Sequence, residues 1–115
     1  MGEKKRVVIT GMGAMSCLGA GVEDNWDALS TGRSGIGYIT YFDASEYRAK
    51  VAGECTALDP TEYGFSSRDA RRYDRSVLLG GAAAYEAIVD SGIDFEARGG
   101  NQDVCVIFGT GIGGI

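Results

Sequence analysis

The 115-residue chain contains no histidine. A Ser/His or Cys/His pair cannot be assembled from its own side chains, because the base that would take the nucleophile's proton is missing. Its cysteines, Cys17, Cys55 and Cys105, are odd in number and far apart. With no CxxC spacing and no histidine they support neither a disulfide framework nor a zinc site. Their expected role is that of small buried hydrophobes. No apolar run approaches the length of a transmembrane helix, and the charged start MGEKKRVVIT lacks a signal-peptide core. Position 6 is not Ser or Thr, so the myristoylation pattern is absent too, and the cytoplasm is the default compartment. Basic residues are the minority, 11 against 16 acidic ones. A net charge of −5 argues against general affinity for nucleic acid or anionic membranes, while leaving room for a local basic patch.

What is present is dominated by one stretch, Ser66 to Gly92, whose start, interior and stop all read as a single helix. Ser66 followed by Asp69 forms a capping-box-like start, and Gly92 is a plausible stop with Ile93 packing back over the last turn. Such a helix would run roughly 36 Å. Arg68, Arg71, Arg72 and Arg75, at i, i+3, i+4 and i+7, would share an arc of about 100°. Ala70, Tyr73, Val77, Gly81, Ala84 and Ile88 gather opposite as a core-facing stripe. Val77 to Tyr85, VLLGGAAAY, is apolar or small all round, which predicts burial on every side and close backbone approach.

The rest of the chain is placed around that helix. Arg6 to Met12, β-branched and ended by glycine, predicts a buried strand. The GxG that follows invites a dinucleotide reading. Ser16 stands where the third glycine belongs, however, and no acidic strand end follows about 20 residues on, so that reading is set aside. Val22 to Thr31 predicts a packing helix, with Val22, Trp26 and Leu29 at helical spacing and Gly32 as its stop. Residues 33–59 are irregular, with a short strand expected at Lys50 to Cys55, and Pro60 to Tyr63 suits one helical turn. After a polar connection from Asp94 to Gln102, Val104 to Phe108 predicts a second buried strand, leading into a glycine-rich loop from Gly109. The β, α, excursion, α, β order favours an α/β layered fold. Two short strands make a poor sheet, so the expectation is the N-terminal piece of a larger α/β protein.

These residues form one ordered pattern: Arg6-Val7-Val8-Ile9-Thr10-Gly11-Met12-Gly13, Trp26, Gly32-Arg33-Ser34-Gly35-Ile36, Phe42-Asp43, Ala52-Gly53, Asp74-Arg75 and Gly109-Thr110-Gly111-Ile112-Gly113-Gly114. The pattern resembles the N-terminal segment of the β-ketoacyl-[acyl-carrier-protein] synthase II family, condensing enzymes of the thiolase-like superfamily. The resemblance covers essentially the whole chain but about a quarter of a family chain. It implies a partial thiolase-like fold, with residues 1–115 opening the first of two similar α/β halves, usually in a homodimer. It implies decarboxylative Claisen condensation in fatty acid biosynthesis, using a cysteine, two histidines and a lysine that match no position here, and no cofactor or metal.

The resemblance carries over binding surface. Arg68, Arg71 and Arg72 match basic positions that dock the acidic acyl carrier protein; the alternative is a solvated face compensated by Asp69 and Asp74. Cations in the first turns of a helix oppose its macrodipole, so helix stability alone would not choose them. Ile112 matches a position beside the acyl-chain pocket; the alternative is a core isoleucine on a turn. Tyr73 and Ser76 replace the methionine and phenylalanine often seen around the Asp-Arg pair, and Cys17 stands where proline is common. Two further readings stay open: a non-catalytic module that binds carrier protein or pairs with a synthase, and the equivalent segment of a polyketide ketosynthase.

Overall fold

The computed structural model describes residues 4–97, 99 and 104–113. The polar connection over 94–102 and the last two residues of the glycine-rich loop lie partly or wholly outside them. The elements run β1 (Met15–Ser16), β2 (Gly19–Ala20), α1 (Val22–Ser30), β3 (Gly37–Tyr38), β4 (Val51–Ala52), a 3₁₀ turn (Pro60–Tyr63), α2 (Asp69–Arg72) and α3 (Arg75–Ser91). Both sheets are two-stranded and antiparallel, with Met15 opposite Ala20 and Gly37 opposite Ala52. Helices with two small sheets are consistent with a partial α/β domain.

The expected single helix is two. Tyr73 is extended at ψ 147°, and Asp74 begins again as an N-cap, accepting from the amides of Ser76 and Val77. An aspartate beside a serine competes for backbone N–H groups and so ends one helix while starting the next. The stop at Gly92 is as expected, with φ 62° in the left-handed region and its N–H on the Val89 carbonyl.

The small-residue middle of α3 is where the chain comes together. Leu78 and Ala82 are buried with Leu58, and Met15, Cys55, Tyr63, Phe65 and Leu79 pack around them. On another side residues 11–14 lie against the helix backbone. A methyl group at Gly13 would stand 1.9 Å from the Ala83 carbonyl oxygen, and one at Gly11 2.1 Å from that of Ala87. Only glycine permits that approach. The contact is fastened by carboxylates one turn apart: Met12 N–H donates to Asp90 at 2.9 Å and Ala14 N–H to Glu86 at 2.9 Å. The other oxygen of Glu86 accepts from Val22 N–H at 2.7 Å, the first amide of α1, which Gly21 has no side chain to cap.

α1 is a packing helix, but it turns a different face inward from the one its spacing suggests. Asn25 and Ala28 are buried, while Trp26 and Leu29 are 69% and 63% exposed. The reason is polar. The Asn25 amide donates to the carbonyls of Ala14, Gly19 and Gly21, and its oxygen accepts from Ser16 Oγ, so the hairpin is tied to the helix through this one side chain.

Neither expected buried strand is realised among the described residues. Val7, Ile9 and Ile107 are 93%, 84% and 87% exposed, and no ladder includes them. A strand is made by its neighbour's N–H and C=O groups, and neither segment finds a partner strand. The radius of gyration, 17.5 Å, exceeds the roughly 13 Å of a compact chain this long. The chain is drawn out around α3.

Candidate functional site

The arginine turn is built from its cap outward. Ser66 Oγ donates to Asp69 Oδ2 at 2.6 Å, Ser66 N–H reaches the same oxygen at 3.1 Å, and Asp69 N–H returns to Ser66 Oγ at 3.1 Å. This is the reciprocal capping box expected from the sequence. It initiates α2, a single turn carrying exposed Arg71 and Arg72, with exposed Arg68 immediately before it. Because α2 is one turn ending at Arg72, Arg71 and Arg72 stand at its C-terminal end and only Arg68 stands at its N-terminus, which confines the macrodipole expectation to Arg68.

Arg75 leaves the group. It opens α3, and its guanidinium donates to the Cys55 carbonyl, which also accepts from the Tyr41 hydroxyl at 3.1 Å. The basic face therefore comprises Arg68, Arg71 and Arg72. Charge compensation by Asp69 and Asp74 is not realised as ion pairing: each carboxylate is turned to a serine and backbone amides, and the described residues hold one ion pair within 4.0 Å, Arg33–Asp27 at 3.9 Å. Three cations on one exposed turn suit an acidic partner.

The same hydrogen bonds set a pH dependence. The Ser66 hydroxyl, then its N–H, hold the Asp69 carboxyl below its ordinary value of 3.8, with a smaller pull from Arg72. The Ser76 hydroxyl and the Val77 N–H do the same for Asp74. Both folded-state values are depressed, so the caps contribute above the unfolded value and are lost as pH falls through the folded values. The thermal midpoint should be level from about pH 5 upward and fall below about pH 4. Asp74→Asn, which still caps but does not titrate, should make that acid limb shallower; an unchanged limb would remove Asp74 from the account.

Ile112 is 79% exposed on the loop after Phe108, so it is not a core isoleucine of the described residues. Gly113, at φ 75°, turns that loop with its N–H on Thr110 Oγ1 at 3.0 Å. A groove of about 800 Å³ is lined by Phe65 and Tyr73, which flank the arginine turn in sequence, and by Phe108, Gly109 and Thr110, which lead into the loop of Ile112. Cys17 and Cys55 are half-buried and Cys105 is exposed, so the expectation of buried cysteines fails for Cys105, in one of the uncovered segments. Burial pushes the Cys55 thiol up against the opposing pull of Arg75. That is the reverse of an activated nucleophile. Among the described residues no group of three or more acidic or sulfur ligands is placed to hold a metal, and no helix is long and apolar enough to cross a membrane.

Sequence reasoning missed Asn25, Glu86 and Asp90. A signal was there for the last two: carboxylates spaced i, i+4 near a helix C-terminus are unfavourable unless they have donors elsewhere.

Comparison with known proteins adds four findings. The family model described as "Beta-ketoacyl synthase, N-terminal domain" matches residues 4–115. The chain is 43% identical over 112 residues to 3-oxoacyl-[acyl-carrier-protein] synthase 2 of Vibrio harveyi, covering 97% of this chain and 26% of that protein. It is also 43% identical over 110 residues to the tetracenomycin polyketide synthase ketoacyl synthase alpha subunit of Streptomyces glaucescens, covering 96% and 25%. Among solved structures, the ishigamide ketosynthase/chain length factor superposes with a TM-score of 0.68 at 31% identity, over 77% of this chain and 22% of that one. The chain spans about a quarter of the length of the curated relatives it matches.

Proposed function

Because the chain belongs to the β-ketoacyl synthase family, through that family's N-terminal domain, we propose that it is the opening segment of a 3-oxoacyl-[acyl-carrier-protein] synthase that elongates acyl chains. In that reaction a cysteine takes the acyl group from its carrier thioester. Malonyl-carrier protein loses carbon dioxide, and the resulting carbanion attacks the enzyme thioester, forming the carbon–carbon bond and freeing the thiolate. The observation that carries the reading is identity of about 40% to 3-oxoacyl-[acyl-carrier-protein] synthases along almost the entire chain. The exposed apolar segments around residues 7–9 and 104–108 fit it, as surfaces that further chain would cover in a thiolase-like half-domain.

Within that enzyme these residues bind and support, and the nucleophile, the histidines and the lysine come from the remainder. Arg68, Arg71 and Arg72 dock acyl carrier protein, Ile112 borders the acyl pocket, and the full-length protein is a cytoplasmic homodimer. Residues 1–115, with no histidine, do not condense alone. A polyketide ketosynthase is the second reading, favoured by the equal identity to the Streptomyces subunit.

The test is reconstitution of the full-length protein with acyl- and malonyl-carrier proteins, with products read by mass spectrometry. A β-ketoacyl product from the full-length protein and none from residues 1–115 is expected. Failure of the full-length protein with every acyl chain offered, or condensation by the 115-residue chain alone, would overturn it. Products extended repeatedly without reduction, even with a β-ketoacyl reductase present, would select the polyketide reading.

A further inference from the structure

α3 carries adjacent glycines in its interior, Gly80 and Gly81. Neither has a positive φ, so no backbone conformation demands them, and each weakens the helix relative to alanine. What faces them supplies the reason. A methyl group at Gly81 would stand 2.4 Å from Cζ and 3.1 Å from Cε2 of Phe65. One at Gly80 would stand 3.3 to 3.4 Å from Cγ, Cδ1 and Cδ2 of Phe108. Neighbouring positions on one helix thus each seat a phenylalanine ring.

The rings lead to different places. Phe65 immediately precedes the Ser66–Asp69 capping box, and its ring lies 6.4 Å from that of Tyr73 in an edge-on arrangement. The pair brackets the arginine turn, since Tyr73 is the residue at which α2 ends. Phe108 immediately precedes the loop of Gly109 to Gly113 that carries Ile112, and both rings border the same groove. A one-turn helix does not hold its own position, because nucleation costs more than a single turn returns.

We infer that Gly80 and Gly81 are positioning residues: Gly81 sets the arginine turn through Phe65 and Tyr73, and Gly80 sets the Ile112 loop through Phe108. The inference rests on the proposed roles of the arginine turn and Ile112. It adds that carrier docking and acyl-chain selection are set from neighbouring points on one helix. A methyl at Gly81 meets the far end of a ring, which swings aside, so the position of α2 changes while α3 still forms. A methyl at Gly80 needs the ring to give by a few tenths of an ångström, so its effect is smaller.

The experiment uses Gly80→Ala, Gly81→Ala and Gly81→Ala/Phe65→Leu in the full-length protein. The readouts are KM for acyl-carrier protein, kcat, product chain length and thermal midpoint. Gly81→Ala is expected to raise KM about threefold to tenfold with kcat and product length unchanged, and the added Phe65→Leu, by shortening the facing side chain, to restore it. Gly80→Ala is expected to shift product length with KM within about twofold of the parent. The midpoint of Gly80→Ala should stay near the parent's, and that of Gly81→Ala should fall modestly, because the helix gain from alanine offsets only part of the cost of moving Phe65 from the core packing. Parent-like kinetics in both single variants, or matching losses of kcat and midpoint without these separate signatures, would overturn the inference. If charge reversal at Arg68 and Arg72 also leaves KM unchanged, the docking role itself falls; if only the glycine variants fail, the inference falls alone.

Discussion

Gly13→Ala is expected to prevent accumulation of folded protein. The added methyl would lie 1.9 Å from the Ala83 carbonyl oxygen and 2.9 Å from the Ala87 nitrogen. Those are backbone atoms inside a helix, with no rotamer to change, so the relief must come from moving residues 11–14 off α3. That movement breaks the hydrogen bonds from Met12 to Asp90 and from Ala14 to Glu86. Overpacking together with loss of these charge-assisted hydrogen bonds costs more than about 3 kcal/mol, a large share of a domain's stability. Gly37→Ala is the control, because a methyl there meets nothing within 4 Å and no positive φ is involved. Its effect should stay within about 0.5 kcal/mol. Urea unfolding and soluble yield in the full-length protein give the comparison, and a parent-like midpoint for Gly13→Ala would contradict the contact.

The second large effect is on recognition. Arg68→Glu/Arg72→Glu should raise KM for acyl-carrier protein about tenfold to a hundredfold at low salt, with kcat little changed. Each substitution removes an attraction and adds a repulsion toward an acidic partner. The two sit on a turn whose aspartates are already engaged as caps. The gap to the parent should narrow as salt shortens the reach of exposed charges. Arg75→Glu separates docking from packing. Its guanidinium is on the Cys55 carbonyl, so reversal there should lower stability, with little change in KM. Equal KM for the parent and the double variant at low salt would remove the docking role.

Much of the fold was legible where local chemistry decides it. The Ser66–Asp69 box, the Gly92 stop, the extent of α1 and the turn at Pro60 are set by neighbours within a few residues, and each stands where the sequence put it; the strand near Val51 stands there too, paired with Gly37–Tyr38. The break at Tyr73–Asp74 was legible in principle, since Asp74 precedes a serine as a cap does, but the apolar periodicity running through it concealed the interruption. The strands were misjudged for a different reason. Val7, Ile9 and Ile107 have strand composition, and pairing depends on a partner that their composition does not specify. The inward face of α1 was hidden because carbonyls at Ala14, Gly19 and Gly21, and not apolar spacing, choose Asn25. For the candidate site the sequence identified the arginines. The departure of Arg75 and the ring seats on Gly80 and Gly81 required the third dimension.

The carboxylate of Glu86 has a consequence for the order in which this chain takes shape. It closes the N-terminus of α1 from 64 residues further along. During synthesis at about 5 to 20 residues per second, Val22 waits roughly 3 to 13 s before that acceptor exists. α1 therefore emerges with its first amide open to water, and α3 supplies the acceptor only later. Completion of α1 is timed by translation beyond it, and a pause before Glu86 prolongs the interval in which Trp26 and Leu29 stand beside an unfinished helix end.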